Sequence, residues 1–282
     1  MTGAPAAPAA PEVLAAPAVR DRAAAAAHAA GVTVRTAHDV SGIAAVADFF
    51  SDVWQTPRST PPYPAEVLHS LVHAGGAVHA AYTDAGELRG AAAAVFGQPA
   101  ASDVYSFVAA AGTSDRGVGL AVKQGQRVWA LERGARTMRW TFDPLVGRNA
   151  RFNLVKLGAT GTEYLVDFYG PMADGVNDGD ESDRLTVTWD LARDDRTAEP
   201  AVPAGTVLET APDGDPLVLG ADGVLHCRVP GDIVRLRAAD PALALRWRHA
   251  VRSVFTDAFA DGYAATAMSR DGWYTLTEEK QA

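Results

Sequence analysis

The run Val104-Tyr105-Ser106-Phe107-Val108-Ala109-Ala110-Ala111-Gly112-Thr113-Ser114-Asp115-Arg116-Gly117-Val118-Gly119 takes an apolar stretch into a glycine-bearing loop. A long amphipathic segment opens where the loop ends, running from about Gly119 to Arg133 and stopped by Gly134. Eight nearly continuous apolar residues predict a strand buried on both faces, and the segment after the loop predicts a helix. A loop of this kind turns several backbone N–H groups toward one point at the positive end of the helix. Its glycines remove the Cβ atoms that would keep a ligand away, a geometry suited to a pyrophosphate. The same residues also suit a plain strand-to-helix turn, so the loop alone leaves both readings open. No Gly-Lys-Ser/Thr follows, which excludes a Walker loop. Gly112 and Gly117 are too far apart for the dinucleotide fingerprint, and no opening strand of a doubly wound sheet precedes them.

Upstream, residues 32–36 alternate as a strand, and Val40 to Trp54 places Ile43, Val46, Ala47, Phe50 and Trp54 on one helical face. A second short helix spans Ala65 to Ala74. Strands at Ala77–Tyr82 and Leu88–Phe96 flank Thr83-Asp84-Ala85-Gly86-Glu87, the composition of a hairpin turn. Downstream, Thr137–Phe142 is a strand, Arg148–Leu157 a helix and Thr162–Phe168 a strand. The order predicts a mixed α/β sheet with right-handed crossovers beside an antiparallel hairpin. Met172–Asp183 reads as a loop, Arg184–Leu191 as a strand, and 192–216, acidic and proline-bearing, as a surface connection. Short strands near 217–219 and 224–229 follow. Asp240 and Pro241 then open a helix that Gly262 ends, and a hairpin of Tyr263–Met268 with Trp273–Thr277 closes the chain.

The 282 residues carry a formal net charge of −9, and the arginines are scattered, which argues against nucleic acid or an acidic membrane as partner. Lysine occurs only at Lys123, Lys156 and Lys280. A single cysteine, Cys227, lies in an alternating run and reads as a buried strand residue; it excludes an internal disulfide. No stretch approaches the ~20 apolar residues of a membrane span, and the alanine- and proline-rich start lacks the basic charge of a signal peptide. A cytoplasmic protein is expected. His69 and His73 stand at ligand spacing without the Glu of a His-Glu-x-x-His pattern, so no metal is expected, and no Gly-x-Ser-x-Gly elbow occurs.

The loop and its surroundings resemble motif A of the GNAT superfamily of acyl-CoA-dependent acyltransferases, in which Gln/Arg-x-x-Gly-x-Gly/Ala follows the fourth strand. Here the motif stands as Ser114-Asp115-Arg116-Gly117-Val118-Gly119, with Ser in the first position. Further on, Asp143-Pro144-Leu145 leads to Asn149-Ala150-Arg151-Phe152-Asn153-Leu154-Val155-Lys156-Leu157-Gly158, similar to the Asn-bearing helix after the fifth GNAT strand with its Lys-x-Gly ending. Phe168-Tyr169-Gly170, Asp240-Pro241 to Trp247-Arg248, and Phe259 to Tyr263 resemble a GNAT subgroup with a C-terminal extension. The resemblance spans roughly 32–277. It implies 32–191 as an acyl-CoA-binding domain with a splayed central sheet and 217–282 as an extension packed on the core, while composition reads 1–31 as a flexible Ala/Pro-rich tail and short helix and 192–216 as a linker.

The resemblance also implies that acyl-CoA, either acetyl-CoA or succinyl-CoA, is the co-substrate. Main-chain groups at Val108 and Ala110 would pair with its pantetheine, and Arg116, Gly117, Val118, Gly119 and Leu120 would hold its pyrophosphate. Asn149 and Phe152 complete the cofactor-binding set. A small-molecule primary amine is the expected acceptor, attacking the thioester directly with no covalent enzyme intermediate; a homodimer is left open. Where many GNAT enzymes carry a Tyr acid this chain has Leu154, which cannot donate a proton. The candidates for acid and base are therefore Tyr105, Asp143 at the end of the fifth strand, and Tyr169. Each also has an ordinary reading, as core aromatic or helix cap. Two alternatives stand beside transfer: a protein that binds acyl-CoA as a sensor or assembly partner, and one that hydrolyses or cyclises the thioester.

Overall fold

A computed structural model describes residues 16–98, 101–112, 117–172, 180–193, 200 and 203–278. Twelve strands among them form one sheet in the order β1-β2-β3-β4-β5-β7-β6-β11-β12-β10-β9-β8. The first strands are β1 (Thr33–Ala37), β2 (Ala77–Tyr82), β3 (Leu88–Phe96) and β4 (Asp103–Ala111), each antiparallel to the next. β5 (Thr137–Phe142) is parallel to β4, and β7 (Arg184–Asp190) lies between β5 and β6 (Thr160–Leu165), antiparallel to both. The sheet continues through β11 (Tyr263–Met268), β12 (Trp273–Glu278), β10 (Val224–Arg228), β9 (Pro216–Ala221) and β8 (Thr206–Thr210). β6 and β11 meet at a single pair, Ala265 opposite Gly161, where any Cβ on Gly161 would stand 2.9 Å from that of Ala265.

Two helices, α2 (Val40–Trp54) and α3 (Ala65–His73), cover one face of β1–β4, burying Ile43, Val46, Phe50 and Leu68 against Val78, Ala80, Ala91, Ala93 and Val108. On the other face α1 (Pro17–Ala30) and α4 (Val118–Leu131) lie together, and Ala27 and Ala30 pack with Val118, Ala121 and Val122. α4 approaches β1 closely because Gly125 is there: a Cβ would meet Val34 Cγ1 at 2.7 Å. His79 on β2 faces α4 with its ring edge-on to Trp129, and burial, helped by Arg133 and Lys123, pushes its pKa down to about 3. The largest cluster runs from Trp129 through Met138, Trp140, Leu154 and Trp189 to Trp247 and Phe255 of α7 (Pro241–Ala260), so one core unites the early and late strands.

Several expectations need correction. β4 is not buried on both faces, since exposure rises from Ala109 onward. The stretch 192–216 contains β8, an edge strand that pairs with β9, and the segment before α7 holds a further helix, α6 (Ile233–Ala239), capped by Asp232. The helix expected at 148–157 begins as α5 (Gly147–Arg151) and widens into a π-helical turn at Phe152–Lys156. The tail at 1–15 lies outside the described residues, as do parts of the 172–183 loop and of 192–216. Cys227 is fully buried and burial pushes its thiol pKa up. Among the described residues no helix is long and apolar enough to cross a membrane.

Candidate functional site

β4 and β5 pair only at Asp103, Val104 and Tyr105 opposite Thr137, Met138 and Arg139. Beyond that point β5 stays with β7 as far as Phe142, whereas β4 stays with β3 as far as Ala111, so the two parallel strands part. From Ser106 to Ala111 no strand among the described residues pairs with the main chain on this side of β4. Phe107 is an extra residue set against the step Ala93–Ala94, a bulge that reverses the side-chain alternation. Ser106 thereby faces α4, while Val108 and Ala110 turn into the cluster beneath α2.

At the wide end of the wedge Gly112 N–H still bonds Arg89 O, and α4 begins at Gly117. Gly117 adopts φ +99°, a conformation that L side chains rarely reach, and it stands at the positive end of the α4 dipole. An open strand edge ending at Ala111 and a helix N-terminus at Gly117 thus lie on either side of residues 113–116, which are outside the described residues. Val118 is buried, whereas Gly119 and Leu120 are partly open. Asn149 is exposed on α5, and Phe152 packs partly against the main core. Arg116 lies outside the described residues.

The face of the wedge toward α4 is polar in an unexpected way. Lys123 is 3% exposed; its Nζ donates to Ser106 Oγ at 2.8 Å and lies 3.9 Å from the centroid of the Trp140 ring. Ser106 Oγ donates to Gln126 Oε1 at 3.0 Å, and Trp140 Nε1 donates to Asn153 Oδ1 at 3.2 Å from within the π-helical turn. Burial lowers the Lys123 pKa to about 7. The unfolded lysine keeps its proton up to ~10.4, so between about 7 and ~10 the unfolded chain binds more protons and stability rises with pH. Urea unfolding across that range is expected to show a slope of up to ~1.4 kcal/mol per pH unit in the wild type and a flatter one in Lys123→Met.

Two of the predicted residues meet on the opposite face. The Tyr105 hydroxyl is hydrogen-bonded to the side chains of Thr141 and Tyr169; burial raises its pKa, the Thr141 bond and Arg139 oppose the rise, and Tyr169 adds to it. Tyr105 is consequently a phenol at neutral pH. Tyr169 is 50% exposed, with its ring over the Arg184 guanidinium and edge-on to Phe168. It is held in place because its N–H bonds Ser182 Oγ, which in turn bonds Asp167.

Asp143 is not with them, and its expected role as a base in the cleft is overturned. Its carboxylate accepts from Arg248 Nη1 at 2.7 Å, Arg248 Nη2 at 3.0 Å, Arg237 Nη2 at 3.1 Å and the Leu145 N–H at 3.0 Å. Burial works to raise its pKa, yet Arg248 and Arg237 overcome this and hold it below the ordinary value. Asp180 shares both arginines, and Arg252 binds Asp183 and Glu181 beside them. With every lone-pair direction taken by a cation or amide, Asp143 is a structural anion tying β5 to α6 and α7. Leu154 is 0% exposed, so no donor stands at that position. A separate cavity of ≈ 720 Å³ lies between α1, β1 and another face of α4, lined by residues including His79, Arg35 and Arg133.

Sequence reasoning missed Lys123, Ser106 and Gln126. One signal was present: Lys123 and Gln126 interrupt the apolar face of an otherwise amphipathic helix in a chain with only three lysines.

No family model matches the chain, and no curated protein matches it. Solved structures do resemble it. An N-acetyltransferase from Staphylococcus aureus Mu50 is 16% identical, over 57% of this chain and 98% of that one, with a TM-score of 0.46. A GNAT superfamily phosphinothricin acetyltransferase from Sinorhizobium meliloti, in complex with AcCoA, is 16% identical over 57% of this chain and 88% of that one, with a TM-score of 0.46. The ribosomal-protein-S18-alanine N-acetyltransferase from Escherichia coli is 12% identical over 59% and 98%, with a TM-score of 0.45.

Proposed function

We propose that the chain is an acyltransferase of GNAT type that moves an acyl group from acyl-CoA to a primary amine of a small molecule. The observation that carries this reading is the open β4 edge, Ser106 to Ala111, which begins where β4 and β5 part and precedes in the chain the helix start at Gly117. Unpaired strand groups suit the amides of a pantetheine arm, as in β-augmentation. The helix start, entered through a residue that must lack a Cβ, suits a diphosphate. Gly117, Val118, Gly119 and Leu120 would hold the phosphates, together with Arg116 from the loop. Val108 and Ala110 would meet the arm through main chain, and Asn149 and Phe152 would flank the far side.

The co-substrate supplies an activated thioester. The chain's own residues position the two reactants, which lowers the entropic part of the barrier. Tyr105 and Tyr169 stand on the face opposite α4, where the amine would approach. A protonated Tyr105 orients the amine by hydrogen bonding, and the proton released on attack passes through the partly exposed Tyr169 to water. No carboxylate base is required of Asp143.

The test is incubation with acetyl-CoA and with succinyl-CoA, each with and without a panel of primary amines, followed by detection of free thiol and by thermal melts. Thiol released only with amine supports transfer. Thiol without amine indicates hydrolysis, and a melting shift with no thiol indicates a binding protein; either result rejects transfer.

A further inference from the structure

Ser106, Lys123 and Gln126 make a buried polar chain at the point where β4 and β5 part. Gln126 is 0% exposed and its Nε2 has no acceptor among the described residues. Lys123 Nζ touches Ser106 Oγ, the Trp140 ring and, at 4.0 Å, Met138 Sδ; among the described residues no carboxylate neutralises it. Burying an ammonium this way is costly, and methionine would fill the space more cheaply. His79 of β2, held neutral by burial, feels the Lys123 charge from another element, and among the described residues the contacts made to the amine from β4 and β5 are Ser106, Met138 and Trp140.

The five residue steps from Ala111 back to Ser106 cover roughly 17 Å at ~3.3 Å each, comparable to an extended pantetheine arm. A ligand anchored by its diphosphate at the start of α4 and laid along the open edge would therefore bring its sulfur into the surroundings of Ser106. We propose that Ser106 and Lys123 together supply the proton taken up by the leaving thiolate. This rests on the acyl-CoA reading given above.

The atoms balance as follows. The amine nitrogen forms a bond to the thioester carbon and the C–S bond breaks, its electron pair going to sulfur. Ser106 turns its hydroxyl from Gln126 Oε1 toward that sulfur, gives it the proton and takes one from the Lys123 ammonium that already donates to it. The proton shed by the amine passes to water, and water later returns one to Lys123. With its pKa near neutrality, Lys123 loses and regains a proton at little cost at working pH.

The test uses the full chain and its Lys123→Met and Ser106→Ala variants, with coenzyme A itself as probe. Ultraviolet thiolate absorbance of bound coenzyme A, followed against pH, reads the thiol directly. Lys123 itself titrates near 7, so the bound thiol and the amine should lose their protons as a coupled pair: thiolate absorbance should rise in two steps, the first near neutrality, in the wild type and in a single step in Lys123→Met. In acetyl transfer both variants should lose about 10²-fold in kcat with KM for acetyl-CoA within about twofold, and Lys123→Met should lose the alkaline decline of the wild-type rate. Should Lys123→Met fail to fold, Ser106→Ala decides by its kcat. Bound coenzyme A whose thiolate absorbance rises in the same single step in the wild type and in Lys123→Met, or variants that keep kcat, overturn this assignment alone. A wild type that binds no coenzyme A overturns the acyl-CoA reading together with it.

Discussion

Arg248→Met is expected to lower the stability of the chain by about 3–5 kcal/mol, the cost of leaving a buried charge without its partner. Arg248 is 0% exposed and its guanidinium is shared between Asp143 and Asp180, contributing two of the four bonds to the Asp143 carboxylate. Methionine matches much of the side-chain volume but leaves Asp143 with only Arg237 and one backbone amide. Equilibrium unfolding in urea measures the loss. The double replacement Arg248→Met with Asp143→Leu should recover part of it, since an apolar pair of similar size often substitutes for a buried ion pair at little cost. The pH dependence has a definite sign. The folded Asp143 pKa is depressed, so its contribution is present above the ordinary carboxylate pKa of ~4 and is lost as pH falls through the lower folded value. A single variant as stable as the wild type would remove the cluster from any role in joining β5 to α6 and α7.

Gly117→Val is expected to abolish the melting shift caused by coenzyme A, a weakening of at least about tenfold, while costing only ~1–2 kcal/mol of stability. At φ +99° a branched side chain forces the backbone into another region and swings the first amides of α4 away from any bound phosphate. Gly134, at the other end of α4 with φ +82° and open space around it, supplies the control. Gly134→Val carries a similar strain away from the wedge, so it should lower the melting temperature comparably and leave the coenzyme A shift in place. Equal shifts in both variants would falsify the assignment of the phosphate site to the start of α4.

The element pattern was legible because it is set by residues close in sequence. The stripe of Ile43, Val46, Phe50 and Trp54, the Asp84–Gly86 turn and the Asp240-Pro241 opening each specify local structure through spacing, and β2, β3, β5 and α2 appear at the expected residues. β8 escaped notice because Thr206–Thr210 is an exposed edge strand, with no buried face to impose alternation. Of the site, Gly117 and the Tyr105–Tyr169 pair could be singled out by residue type. Lys123 could not, because its helical periodicity says which face it shares, whereas its chemistry depends on Ser106 and Trp140 from two strands. Asp143 was misread for the same reason. Its sequence context, a carboxylate before proline at a strand end, is that of a cleft residue, and the arginines that claim it lie 94 and 105 positions away.

From its sequence alone this protein was bound to form a mixed sheet flanked by helices, with a glycine at the entrance to α4, since spacing of apolar residues and the freedom of glycine act over a few bonds. Tertiary structure decided where β4 and β5 cease to pair, which carboxylate is spent on arginines, and that an amine is buried beneath the fork. These depend on which distant groups exclude water from one another, and desolvation is a property of the packed molecule.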